Sequence, residues 1–500
     1  MAGLIWLITA SVFLVAYVLR VGSHWLAPRG LGVDHWFWKS YVETYRRERR
    51  FPPDLPQYIL DEAQWYPPLY PMLMARLPAR LFDAWSHHVA ILVDLARLAL
   101  LLAVTAWYCD GDPAVVLIAG LLYATIPILI SYNIQLNPRA VAALLLDAAL
   151  LAILWSLEPW GAWWGWLIVA LLGGLILLTH KMTTQLFWFL TLATGIIYRR
   201  WELIVVVPAS MAFAMLVSRG FYRNVLIAHW DIVTFWNRNW RWIGADPIRE
   251  SPIYGDGQYE RAQKLHKTGI RGVAWHCFIL FGFNPSAWIA CLLVYERLFV
   301  ASPVLIYPTY LLVWLLLACA FACLTAFVPF LKCLGAGYLY VYNTAVLCSL
   351  LLALTFRFTR APRFSTTFVI VALTLNVCGV LVHYWEIRRN KRTRVDENLD
   401  RMIDLLRSLP TGVVWCIPAS WHNLIAYKTQ HPVLWGAHGY GFKRIEPLLP
   451  RLLLPMAEIR ARYNVRYLLT MDDMLPANFE SELAGATQLR TGEFRLYRFD

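Results

Sequence analysis

The run Gly32–Pro78, GVDHWFWKSYVETYRRERRFPPDLPQYILDEAQWYPPLYPMLMARLP, decides how the rest of the chain is read. It is polar, aromatic and studded with proline, and it lies between two hydrophobic runs of membrane-spanning character. A single carboxylate, Asp34, opens it, and the residues behind have helical spacing. Trp38, Tyr41, Val42 and Tyr45 fall at i, i+3, i+4 and i+7 and so share one face. Lys39, Glu43, Arg46, Arg47, Arg49 and Arg50 take the other. Such a helix is expected to lie in the membrane interface, aromatic side towards lipid and basic side towards water or phosphate. Periodicity alone does not separate a stabilising anchor from a functional surface.

The surroundings point to a membrane. The chain is 59% hydrophobic and 15% aromatic over 500 residues, with a mean hydropathy of +0.50, which excludes an ordinary soluble globule. Several apolar runs reach the roughly 17–25 residues that a bilayer core demands. The first, Leu4–Leu19, has neither a basic stretch before it nor a small-residue cleavage site after it, and reads as a retained span. The net charge of +13 is spread over loops and tail rather than clustered. That distribution favours anionic headgroups or a phosphorylated substrate over nucleic acid. Eight of the nine cysteines lie in or beside apolar segments and read as buried thiols.

About eleven spans follow from window length: Leu4–Leu19, Val89–Cys109, Ala114–Tyr132, Ala140–Leu157, Trp163–Leu178, Leu186–Tyr198, Leu203–Val217, Val273–Val294, Val304–Phe330, Tyr338–Leu354 and Phe368–Tyr384. Two links are long, about residues 20–87 and 219–272. Residues 1–385 thus form a transmembrane domain and 386–500 a soluble tail. With the N-terminus inside, short inner links carry more Arg than outer ones, although the basic run 388–394 then faces outward.

The tail reads as a small α/β domain. Leu399, Met402, Ile403 and Leu406 mark an amphipathic helix. Gly412–Ile417, Val433–Trp435, Arg466–Thr470 and Phe494–Phe499 are strand-like runs, with a helix at Leu452–Tyr463 between them. His422, His431 and His438 lack a tight metal-ligand spacing.

Ionisable residues inside spans need partners. Asp94 and Arg97 sit at i, i+3 and are expected to pair, whereas Asp147 has no local partner. Arg139, His180 and Lys181 fall at span ends, at the depth of a lipid phosphate. Two cations there make a phosphate clamp, or else snorkel as such side chains routinely do.

Here the sequence resembles the GT-C superfamily of integral-membrane glycosyltransferases, similar to the protein mannosyltransferase and aminoarabinose transferase type. The likeness rests on Gly32-Val33-Asp34, on Trp65-Tyr66-Pro67-Pro68-Leu69-Tyr70-Pro71, on the long loop Arg219–Gly272 and on the tail. It implies a polytopic α-helical membrane fold with an extracytoplasmic C-terminal α/β domain, and Asp34 as the catalytic residue. Asp34 stands outside a paired-acid DxD pattern. Asp61 and Glu62 are the candidates for a second acid, with Tyr66 a candidate acceptor contact, so metal dependence on Mg or Mn stays open and no cofactor is fixed.

The chemistry suits these residues. Sugar transfer to a hydroxyl needs a base at the acceptor proton, and a carboxylate in reach supplies it. A phosphate leaving group wants positive charge rather than a general acid, which Arg139, His180 and Lys181 supply. Trp65, Trp236 and Trp240 are candidates to stack on sugar rings, or to anchor at the interface. The expected function is inverting transfer from a polyprenyl-phosphate sugar to a cell-envelope glycan, lipid or protein acceptor. The expected setting is a bacterial inner (plasma) membrane, on its periplasmic side. Two alternatives stand: a transporter or flippase for lipid-linked sugars, disfavoured by the lack of repeated halves, and a non-catalytic scaffold.

Overall fold

A computed structural model describes residues 2–26, 34–158, 163–255, 269–293, 307–358, 362–389, 397–436 and 438–499. Gly32, Val33 and most of the basic run 388–394 lie outside the described residues, as does the link before the helix at 307. The chain is a polytopic α-helical membrane protein with a small four-stranded sheet near its C-terminus. It divides into two compact units. Unit 1 comprises Met1–Pro28, Asp83–Arg223 and Cys277–Asn390; unit 2 comprises Arg29–Phe82, Asn224–His276 and Lys391–Asp500.

Most of the apolar helices lie in unit 1. Among the described residues, six helices are long and apolar enough to cross a bilayer, and counting each of two bent helix pairs as one span gives eight. The count differs from about eleven because several expected spans are short or broken. The third becomes two helices, Pro113–Ala124 and Pro127–Tyr132, because Pro127 donates no N–H and disfavours helix in the residue before it. The eighth breaks at Asn284–Pro285 between Gly269–Phe283 and Pro285–Cys291. Asn284 makes the break tolerable: its carboxamide oxygen accepts the Ala287 N–H at 3.2 Å and its Nδ2 donates to Thr344 Oγ1 at 2.9 Å. The tenth starts as a 3-10 segment, Gly337–Thr344, before it becomes the helix Ala345–Phe358.

The buried charges pair differently from the local rule. Arg20 in α1 (Ala2–Leu26) donates Nε to Asp94 Oδ2 at 2.5 Å, and Arg97 donates Nε to Asp147 Oδ2 at 2.7 Å. The expected Asp94–Arg97 pair remains as a longer 3.6 Å contact. Asp147 therefore has a partner fifty residues away in sequence. Tyr123 Oη donates to Asp94 Oδ1 at 2.7 Å, which leaves the four charges mutually compensated in the bundle interior.

Unit 2 is built from three separated stretches of chain. Its sheet has the order β1-β2-β4-β3, with β1 Val413–Ile417, β2 Val465–Met471, β3 Thr487–Thr491 and β4 Phe494–Arg498. β1 and β2 are parallel and the other two pairings antiparallel. Beyond β1, Val433 bridges both Val414 and Tyr58, so a piece of the first long loop continues the sheet. The helix Glu397–Ser408 covers it with Leu399, Met402, Ile403 and Leu406, all buried as the periodicity predicts.

The opening helix exists, as α2 (Asp34–Glu48). Its aromatic face does not look to lipid: Trp38, Tyr41 and Val42 are at most 1% exposed within unit 2. Its basic face is also used internally. Arg46 donates to the carbonyls of Met74 and Ala75, at 2.8 and 3.1 Å, and to that of Leu77. That satisfies the orphan C-terminal carbonyls of α3 (Leu69–Arg76).

Candidate functional site

In unit 2, Asp34 occupies the first turn of α2, where the helix dipole favours its negative charge. Its Oδ1 lies 3.1 Å from Nε2 of His438, and the two side chains are 33% and 19% exposed. A carboxylate only accepts, so His438 carries its proton on Nε2 and donates it. The imidazole packs against Phe37, Trp38 and Tyr66, with ring centroids 4.5, 5.7 and 5.8 Å away. Tyr66 is buried, edge-on to both His438 and Trp38.

Asp61 packs against the His438 turn, beside Gly436 and Gly439. Its Oδ2 accepts from Gln64 Nε2 at 3.4 Å and from the Gly436 N–H at 3.3 Å. Burial raises its pKa from the ordinary 3.8 to about 6, against the opposing pull of those hydrogen bonds and of His438. Glu62 is exposed; its N–H donates to the Tyr440 carbonyl at 2.8 Å, and Tyr440 N–H returns a bond to Ala63 O at 2.7 Å. Trp65 stacks on Tyr440 at 4.6 Å, so one of its faces is taken within the protein. Trp236 meets the ring of its neighbour Phe235, and Trp240 lies under Arg241.

In unit 1, Arg139 begins the helix Arg139–Leu157, where Asn137 Oδ1 accepts its N–H at 2.9 Å. Its guanidinium lies 4.7 Å from the Tyr132 ring and 6.0 Å from that of Tyr342. Its buried Nε and Nη1 have no hydrogen-bond partner among the described residues. His180 caps the helix Lys181–Ile197: its Nδ1 accepts the Thr183 N–H at 3.3 Å. That fixes the ring by a structural bond. Lys181 is the first, half-buried residue of the same helix. Gln185, one turn on, accepts from the hydroxyl of Tyr340, which also donates to Leu334 O at 2.8 Å.

No trio of His, Cys, Asp or Glu is placed to hold a metal ion among the described residues. His422 and His431 serve the fold. His422 accepts the Cys416 N–H at 3.1 Å with its own pKa pushed down by burial to about 3, and His431 bonds Gly412. His438 is a neighbour of Asp34 that the spacing could not reveal, since 404 residues separate the two.

No protein-family model and no curated protein matches the sequence. Solved structures do match in fold. ArnT from Cupriavidus metallidurans in the apo state aligns with a TM-score of 0.56 at 9% identity, covering 99% of this chain and 98% of that one. The oligosaccharyltransferase from Archaeoglobus fulgidus, in complex with Zn and sulfate, aligns with a TM-score of 0.52 at 13% identity. That alignment covers 93% of this chain and 68% of the other. The fold is thus the one that the GT-C resemblance implies.

Proposed function

We propose that the protein is an inverting glycosyltransferase that moves a sugar from a polyprenyl-phosphate donor to a hydroxyl acceptor. The observation that carries this reading is Asp34, a partly exposed carboxylate at a helix start with its orientation fixed by His438. Asp34 accepts the acceptor proton as the new glycosidic oxygen attacks the anomeric carbon, and the lipid phosphate departs with the bonding electrons. Arg139, in unit 1, is the candidate to bind a donor phosphate, since its Nε and Nη1 have no partner among the described residues. Lys181 adds a cation at a helix start, and His180 holds that start in place. The fold shared with ArnT and the oligosaccharyltransferase supports the same chemistry class.

The acceptor in this reading is a cell-envelope glycan, lipid or protein, met on the extracytoplasmic side of a plasma membrane. Asp34→Asn in purified protein given a polyprenyl-phosphate sugar is expected to abolish transfer while elution profile and melting stay unchanged. A folded, fully active variant overturns the assignment. A transporter reading predicts instead that lipid-linked sugar crosses vesicles without any new glycosidic bond.

A further inference from the structure

Five hydrogen bonds hold the short turn that carries His438. Gly436 N–H reaches Asp61, and Tyr440 pairs with residues 62 and 63 through both its N–H and its carbonyl. Gly441 and Phe442 donate their N–H groups to Asp231 Oδ2 at 3.1 and 2.9 Å. Gly439 lies so close to Asp61 that a Cβ there would stand 2.9 Å from its Cβ and Cγ. All of these partners lie in the first and second long loops, not in the tail itself. Such support is out of proportion for a surface turn and typical of one that must present a side chain with sub-ångström precision.

We infer that His438 is a positioning residue for Asp34, supplied to the reaction by the tail. The inference rests on the reading of Asp34 as the base. By donating Nε2–H to Oδ1, His438 fixes the plane in which the Asp34 carboxylate meets the acceptor. His438 keeps its own proton throughout. The acceptor O–H proton passes to Asp34, the O–C1 bond forms, and the C1–O bond to phosphate breaks. Phe37, Trp38 and Tyr66 lock the imidazole so that the donor does not wander. The role resembles the partners that orient metal ligands, whose loss costs about 10- to 100-fold in activity.

The test compares His438→Ala, His438→Gln and His438→Phe in the full-length protein, with Asp34→Asn alongside. Glutamine keeps an N–H donor near the Nε2 position, whereas phenylalanine keeps only the ring packing. His438→Ala and His438→Phe are expected to lower kcat about 10- to 100-fold with donor KM within about twofold, and His438→Gln to recover most of that loss. If His438→Phe matches the wild type, the ring serves packing alone and the inference fails. If glutamine is as damaging as phenylalanine, the Nε2 donor is not the working group and the inference also fails. An active Asp34→Asn overturns the underlying reading instead, which separates the two failures.

Discussion

At the scale of single residues, burial explains more than charge counting. Asp61 is a candidate second acid, and the fold presses it against Gly436 and Gly439. A carboxyl with its pKa raised to about 6 prefers the neutral form in the folded state. The folded protein therefore binds more protons than the unfolded chain between about pH 4 and 6, and stability contributed at low pH is lost as pH rises through that window. Asp61→Asn should accordingly raise the melting temperature more at pH 8 than at pH 5; an equal effect at both would show that Asp61 ionises freely. Lys181→Ala should raise donor KM about tenfold while acceptor KM holds, which a two-substrate titration measures. Among the candidate site residues, the place of Asp34 at a helix start is legible because it follows the first span and opens an amphipathic helix. His438 is not, because nothing local distinguishes it from His422 and His431 until tertiary pairing brings it to Asp34.

At the scale of elements, the helical periods were legible and their environments were not. The spacing of Trp38, Tyr41 and Val42 gives the α2 face correctly, but periodicity marks only that a face is buried, not whether lipid or protein buries it. β3 escaped notice for a related reason. Its sequence TQLRT is polar and mostly exposed, so it lacks the alternation that announces a strand, and it exists by pairing with β4 across Gly492. Gly439→Ala should displace the His438 turn from Asp61, cost about 1–3 kcal/mol, and lower transfer more than it lowers expression. In the bundle, Asp147→Ala leaves Arg97 buried without its 2.7 Å partner. A loss of about 3–5 kcal/mol is expected, read as a sharp drop in detergent melting temperature, whereas an unchanged midpoint would mean that solvent reaches Arg97.

At the scale of the whole molecule, the chain divides between a span-bearing unit and one assembled from both long loops and the tail. Composition announced the spans, since apolar length is a one-dimensional signal. It could not announce the second unit, whose pieces lie hundreds of residues apart and meet through backbone bridges such as Tyr58 to Val433. A cysteine in place of exposed Asp54, in a background without exposed Cys277 and Cys378, should react with a membrane-impermeant reagent added outside intact cells. Labelling confined to inverted vesicles would place the loop in the cytoplasm and reverse the topology argued from charge.

The Asp34–His438 bond also sets a timetable. Because the chain leaves the ribosome from its N-terminus, Asp34 emerges long before the residue that aims it, and β4, which lies between β2 and β3, emerges later still. A nascent chain already threaded into the bilayer therefore carries Asp34 without its partner His438. Under the proposed reading, transfer reaches its full rate only after residue 438 and the strands behind it have been made.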